Sequence, residues 1–227
     1  MRNPIDVLNS LSDKSKNPNY RFQRLYRNLY NPGFYLLAYK NIYANSGSMT
    51  PGVDGITVDG MSSQRIAKLI ESLKDRSYQP NPARRTYIAK KNNPAKKRPL
   101  GIPSGDDKLV QEVIRMILES IYEPNFSDAS HGFRPKKSCH TALIKIQKTF
   151  TGAKWFVEGD IKACFDSFDH HVLINILRKR IDDEAFYRPY VEISESWLYG
   201  TVAIPHDLYW HTTRFRNESD TCKHLPE

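Results

Sequence analysis

The sequence predicts an α+β fold: a mainly helical region broken by one basic β-hairpin, then a strand that opens a second region. Three observations lead there. Apolar residues recur at helical spacing over residues 62–76 and 106–122. Two runs, 84–91 and 98–102, flank the turn-forming stretch Asn92-Asn93-Pro94-Ala95-Lys96-Lys97 and read as a hairpin. Residues 155–161 read as a strand, with Glu158 and Asp160 on one face and Val157, Gly159 and Ile161 on the other.

In chain order, residues 20–45 read as helical with a break at Asn31-Pro32-Gly33, a strong turn signal. Tyr26, Tyr30, Tyr35, Tyr39 and Tyr43, with Arg21, Arg24, Arg27 and Lys40, suit either RNA contact or a half-buried amphipathic helix. Residues 47–55 form a loop dense in turn formers. In the helix at 62–76, Ile66, Leu69, Ile70 and Leu73 fall at i, i+3, i+4, i+7. The hairpin carries Arg84, Arg85, Lys90, Lys91, Lys96, Lys97 and Arg98. A ribbon this basic is costly to bury, so it is a solvated edge or a phosphate-binding arm. The helix at 106–122 lines up Leu109, Val110, Val113, Ile114, Ile117, Leu118 and Ile121, and Glu123-Pro124 ends it. A loop at 130–138 leads to a short helix through about Phe150. After the strand, Asp169 caps a helix whose apolar face holds Val172, Leu173, Ile176 and Leu177.

The chain has 227 residues, 39% hydrophobic and 26% charged, with a formal net charge of +9. That excess suits a polyanionic partner, nucleic acid first, although a merely soluble basic protein has the same balance. Cys139, Cys164 and Cys222 are far apart and form no metal-binding pattern, so they read as reduced thiols of a cytoplasmic protein. No apolar run approaches the length of a membrane span, and no targeting segment is visible.

Asp160, at the end of a strand beside a basic arm, is placed to hold a hard cation; an Asp pairing with a lysine is the bland alternative. The wider string Asp160-Ile161-Lys162-Ala163-Cys164-Phe165-Asp166 resembles motif A of reverse transcriptases. Three further strings occur in the order seen in one branch, the group II intron reverse transcriptase/maturases. They are Thr50-Pro51-Gly52-Val53-Asp54-Gly55, Lys97-Arg98-Pro99-Leu100-Gly101-Ile102-Pro103 and Ser130-His131-Gly132-Phe133-Arg134-Pro135. The resemblance covers roughly residues 20–186.

That resemblance implies polymerase fingers, made of helices plus the basic hairpin, joined to an incomplete palm. The implied layout is a mostly helical extension at 1–61 with an RNA-contacting loop, fingers at 62–153, the start of a palm at 154–186, and an aberrant tail at 187–227. It implies RNA-directed DNA polymerase activity with two Mg²⁺ ions, deoxynucleoside triphosphates, an RNA template with primer, and intron RNA. Asp160 would ligate both metals with help from the Ile161 carbonyl, and Phe165 would disfavour a ribose 2′-OH. Lys90 and Arg98 would hold the triphosphate, and Phe133, Arg134 and Pro135 would line the template track. Ala89 departs from the pattern, which has proline there. Asp166, Asp169, His170 and His171 have simpler explanations as turn or helix-start residues. The alternatives are a non-catalytic RNA-binding fragment that assists intron splicing, or another branch of the superfamily, such as a retron or diversity-generating enzyme.

The second carboxylate cluster of the family, a Tyr-Ala-Asp-Asp turn, does not follow Asp160, and Asp182-Asp183 comes too early for it. From about Tyr187 the aromatic residues lose any helical or strand period. We therefore expect residues 187–227 to be an out-of-frame translation, with a genuine divergent tail as the alternative. Permissible codons for 187–194, read one base forward, give IDLMWKF, and those for 211–226 give TPQGSGMSPILANIYL, similar to the missing family segment. With one carboxylate and few strand partners, residues 150–227 are expected to be poorly stable and the chain to be catalytically inactive.

Overall fold

The computed structural model describes residues 2–90, 93–161 and 169–199; within these, side chains are described for all but Ser46, Lys90, Arg98, His170, Tyr190 and residues 194–199. The helices are α1 (Pro4–Ser15), α2 (Pro32–Tyr43), α3 (Ser63–Lys74), α4 (Gly105–Tyr122), α5 (Cys139–Thr149), α6 (His170–Arg178) and α7 (Glu184–Tyr199). Strands β1 (Arg84–Lys90) and β2 (Asn93–Ile102) form a two-stranded antiparallel sheet. This is the expected α+β composition.

Helix α4 is the centre of the molecule. Leu109, Val110, Val113, Ile114, Met116, Ile117 and Ile121 are all buried, which is more of the helix circumference than one amphipathic stripe covers. It packs against α1, α2 and α7. Its one deeply placed carboxylate in mid-helix, Glu112, is satisfied by Arg115 Nε at 2.7 Å and Asn41 Nδ2 at 2.9 Å. Helix α3 starts where Ser62 accepts from the Arg65 backbone N–H, and it buries Ile66, Leu69, Ile70 and Leu73 as their spacing requires.

The N-terminal helix α1 lies within the 1–61 extension but ahead of residue 20, where the helical pattern read from the residues begins. Its signal is local: Asn3 caps by accepting from Ile5 N–H, Pro4 occupies the first turn, and Asp6 follows at the positive end of the helix dipole. Residues 20–25 are not helical either. Phe22 makes an isolated parallel bridge with Ile181, exchanging Phe22 N–H to Arg180 O at 2.8 Å and Asp182 N–H to Phe22 O at 2.7 Å. The helical stretch begins only with a tight turn at Tyr26–Tyr30, and the break at Asn31 falls where expected, with Asn31 capping α2.

The expected strand at 155–161 is not formed. These residues have no regular secondary structure, with Trp155 91% and Val157 100% exposed. A strand is stable only when its backbone groups find a ladder, and no neighbouring strand is present among the described residues. The stretch beyond it behaves differently. Ile174, Leu177, Ile181, Phe186, Tyr187 and Ile193 are buried in the main core, and α7 continues through Pro189. Poor burial therefore applies to residues 155–161, while 174–193 belong to the packed body. The expected loss of period at Tyr187 is offset by this packing as far as Ile193. Residues 200–227 lie outside the described residues.

Candidate nucleic-acid interface

The hairpin stands on a fixed foot. Before β1, the Tyr78 hydroxyl donates to Asp107 Oδ1 at 2.7 Å, and Asn81 N–H donates to Asp107 Oδ2 at 3.0 Å. Asp107 is 2% exposed, and its burial raises the carboxyl to a pKa of about 6. After β2, the chain enters α4 directly, and there the loop at 50–55 docks. A Cβ on Gly52 would meet Ser104 Cα at 2.6 Å, so only glycine permits this approach. Lys108 Nζ donates to the carbonyls of Gly47 at 3.0 Å and Thr50 at 2.7 Å, and burial lowers its pKa. Arg84 Nε, at the start of β1, donates to Pro51 O at 3.1 Å. The loop at 50–55 is thereby seated on Ser104, the residue that directly follows the string at 97–103.

From this foot the ribbon extends with its side chains exposed, including Arg85, Tyr87, Lys96 and Lys97. Arg98 pairs in register with Ile88, and Lys90 with Asn93 across an irregularity at Ala89/Lys90. Pro99, opposite Tyr87, is tolerated because each strand has a free edge. The ribbon is thus a solvated cationic arm.

The loop at 130–138 presents a second feature. Phe133 is 102% exposed and sits in the left-handed backbone region at φ 55°, as does Lys136 at φ 59°. Arg134, between them, turns inward. Its guanidinium takes Glu123 in a fork, with Nε 3.1 Å from both carboxylate oxygens and Nη2 2.8 Å from Oε1. Nη1 donates to the carbonyls of Ser127 and Ser130 at 2.7 and 2.9 Å, and the group lies over the Phe126 ring. The ion pair holds the guanidinium above its ordinary pKa. Arg134 therefore fastens the loop that offers Phe133, with the exposed Pro135 beside it. Glu123 looked only like a helix end in sequence; no periodicity connects it to Arg134.

Asp160 and Ile161 lie in the run at 155–161 that pairs with no strand, and both are exposed. Phe165 lies outside the described residues, as do Cys164 and Asp166. Among the described residues no three Asp, Glu, His or Cys side chains come together as a metal site. Asp182 and Asp183 are occupied otherwise: Asp182 accepts from Gln23 Nε2 at 2.9 Å, and Asp183 accepts from Tyr26 N–H at 2.8 Å. Asp169 caps α6, accepting from His171 and Val172 N–H. Cys139 is a free, exposed thiol. No described helix is long and apolar enough to cross a membrane.

Residues 88–219 match the family described as reverse transcriptase (RNA-dependent DNA polymerase). The chain is 54% identical over 184 residues to the group II intron-encoded protein LtrA of Lactococcus lactis subsp. cremoris, covering 81% of this chain and 31% of that protein. It is 48% identical over 188 residues to a 91 kDa protein in the cob intron of Schizosaccharomyces pombe, covering 82% and 23%. It is 40% identical over 178 residues to protein YkfC of Escherichia coli, covering 74% and 46%. The chain thus spans less than half the length of each of these relatives.

Proposed function

The chain belongs to the reverse transcriptase family, and we propose on that premise that it carries the fingers and the beginning of the palm of a group II intron reverse transcriptase/maturase. The observation that carries the proposal is the docking of Gly52 on Ser104. It seats the string at 50–55 against the residue that directly follows the string at 97–103, and both strings mark the intron branch. Similarity to an intron-encoded protein of Lactococcus lactis supports the same assignment.

In this reading the cationic arm meets phosphates, with Lys90 and Arg98 serving the triphosphate of a deoxynucleotide. Phe133 and Pro135 meet an RNA template, and Arg134 holds them in place. Asp160 and the Ile161 carbonyl are the palm's contribution to Mg²⁺ binding, and Phe165 lies beneath the incoming sugar. Two Mg²⁺ ions would supply charge stabilisation to both reacting oxygens of a phosphoryl transfer. That chemistry needs carboxylates beyond Asp160. The chain by itself therefore binds RNA without copying it, and its partners are intron RNA and a primed template.

Primer extension on an RNA template, with Asp160→Ala as control, tests the catalytic half. We expect no extension from this chain; robust synthesis lost in the Asp160→Ala variant would overturn the inactive reading. RNA binding that weakens with salt is the expected binding result. Binding absent at low salt would remove the RNA-interface reading. The nucleotide sequence encoding residues 187–227 tests the out-of-frame tail: codons that cannot yield the shifted text would end that idea.

A further inference from the structure

Phe133 stands between two ties. One is the Arg134 fork on Glu123, and the other is His131. His131 Nδ1 lies 2.8 Å from Thr141 Oγ1, in the first turn of α5. That oxygen already belongs to a capping box: it accepts the Ser138 N–H at 2.9 Å and donates to Ser138 O at 2.8 Å. His131 Nε2 is buried and has no hydrogen-bond partner among the described residues. No residue of α5 is buried, and Leu143, Ile144 and Ile146 are exposed. Apolar packing therefore does little to hold α5, and its junction with the loop depends on polar ties.

These contacts decide which ring nitrogen carries the proton. A neutral imidazole has one donor and one acceptor. With the proton on Nε2, a buried N–H would face no acceptor and forfeit its hydrogen bond. With the proton on Nδ1, the ring donates to Thr141 Oγ1 and Nε2 presents only a lone pair. The surroundings favour the lone pair too. Burial, and then the charges of Lys137, Lys145 and Arg134 against that of Asp128, hold the His131 pKa below its ordinary value. Protonating Nε2 would bring an unpaired N–H and a further positive charge to the same place.

We propose that His131 is a positioning residue: as the neutral Nδ1–H tautomer it clips the loop at 130–138 to α5 and so holds Phe133 in its exposed, left-handed pose. The consequence for RNA rests on the reading of Phe133 as a template contact. A left-handed residue with a Cβ persists only where its surroundings determine it. Gly132 cannot supply that, since even a Cβ placed on it would touch nothing. His131 on α5 and Arg134 on Glu123 supply it from the two sides. Acid puts a proton on Nε2, which must then turn to water and away from three cations, and the clip opens.

The test uses the full chain as wild type and as His131→Asn, His131→Gln and His131→Ala. An Asn amide donates from about the position of Nδ1, whereas a Gln amide reaches that of Nε2. Nitrogen–proton correlation spectra at about pH 7.5 read the tautomer, with the His131 signals assigned by their loss in His131→Asn. Nδ1 is expected to carry the proton; a proton on Nε2 would overturn the proposal. Affinity for a fluorescent single-stranded RNA is then measured at constant ionic strength. His131→Ala and His131→Gln are expected to weaken it about 5-fold, the worth of one net hydrogen bond, and His131→Asn to restore it. Relative to His131→Asn, the wild type is expected to lose affinity as pH falls below the ordinary histidine value of about 6.5. In the Phe133→Ala background, His131→Ala is expected to add little, because it acts through Phe133. Wild-type affinity in His131→Ala, a constant ratio of wild type to His131→Asn across pH, or additive losses with Phe133→Ala would each overturn the proposal. Failure of the wild type to bind RNA would overturn the RNA-binding reading instead. The tautomer, and exchange of the Ser138 amide that is faster in His131→Ala than in His131→Asn, would then judge the clip alone.

Discussion

The Tyr78 hydroxyl donates to Asp107 Oδ1 at 2.7 Å directly beneath the foot of the hairpin, where Asp107 is 2% exposed. Burial is the largest influence on this carboxyl and raises its pKa to about 6, against the two donors that favour its charged form. The folded state therefore binds the proton more tightly than the unfolded chain does. Stability from this group is greatest below about pH 4 and falls as pH rises towards 6, by up to about 3 kcal/mol at about 1.4 kcal/mol per pKa unit. Asp107→Asn is expected to lose that slope. Thermal melts of both proteins from pH 4 to 7 check it; parallel curves would refute it.

Gly52→Ala should destabilise the chain by about 1 to 3 kcal/mol, because the added methyl meets Ser104 backbone rather than a flexible side-chain end. Denaturant unfolding measures the loss. Ser104→Gly, which clears part of that space, should recover only a fraction, since Cα and N remain within 3 Å.

Phe133→Ala should leave the melting temperature unchanged, since its ring is fully exposed. It should weaken single-stranded RNA binding by about 1 to 3 kcal/mol, the usual value of one base stacked on an aromatic ring. Arg134→Lys should weaken RNA binding too, and also lower the melting temperature, because an ammonium cannot replace the fork on Glu123. Anisotropy titration together with a melt separates the two behaviours.

Ile181→Ala should cost about 2 to 5 kcal/mol, as a buried residue whose removal leaves a cavity under the bridge to Phe22. Trp155→Ser should cost nothing measurable. Equal effects of the two substitutions would contradict the division between an exposed run at 155–161 and a packed segment at 174–193.

Periodic signals between near neighbours are legible in the sequence, and contacts between distant residues are not. The faces of α3 and α4, the break before Pro32 and the Asp169 cap depend on neighbours three or four residues apart, so spacing reveals them. Helix α1 had its own cap in Asn3 and Pro4, but α1 lacks the strong apolar stripe that draws attention to α3. The Phe22–Ile181 bridge and the Arg134–Glu123 fork join residues that no periodicity connects. Residues 155–161 carry a strand pattern, yet a strand is a property of a pair, and the partner was never in the pattern.

The unpaired run at 155–161 has a consequence for the life of the chain in a cell. Trp155, Phe156 and Val157 expose apolar side chains, and their backbone N–H and C=O groups join no ladder among the described residues. Such a segment can add to the open edge of any sheet it meets, including that of another molecule. Chaperones and proteases that recognise extended apolar chain would find it readily. The amount of this protein that persists would then be set less by the melting point of its helical body than by how long these few residues go uncovered.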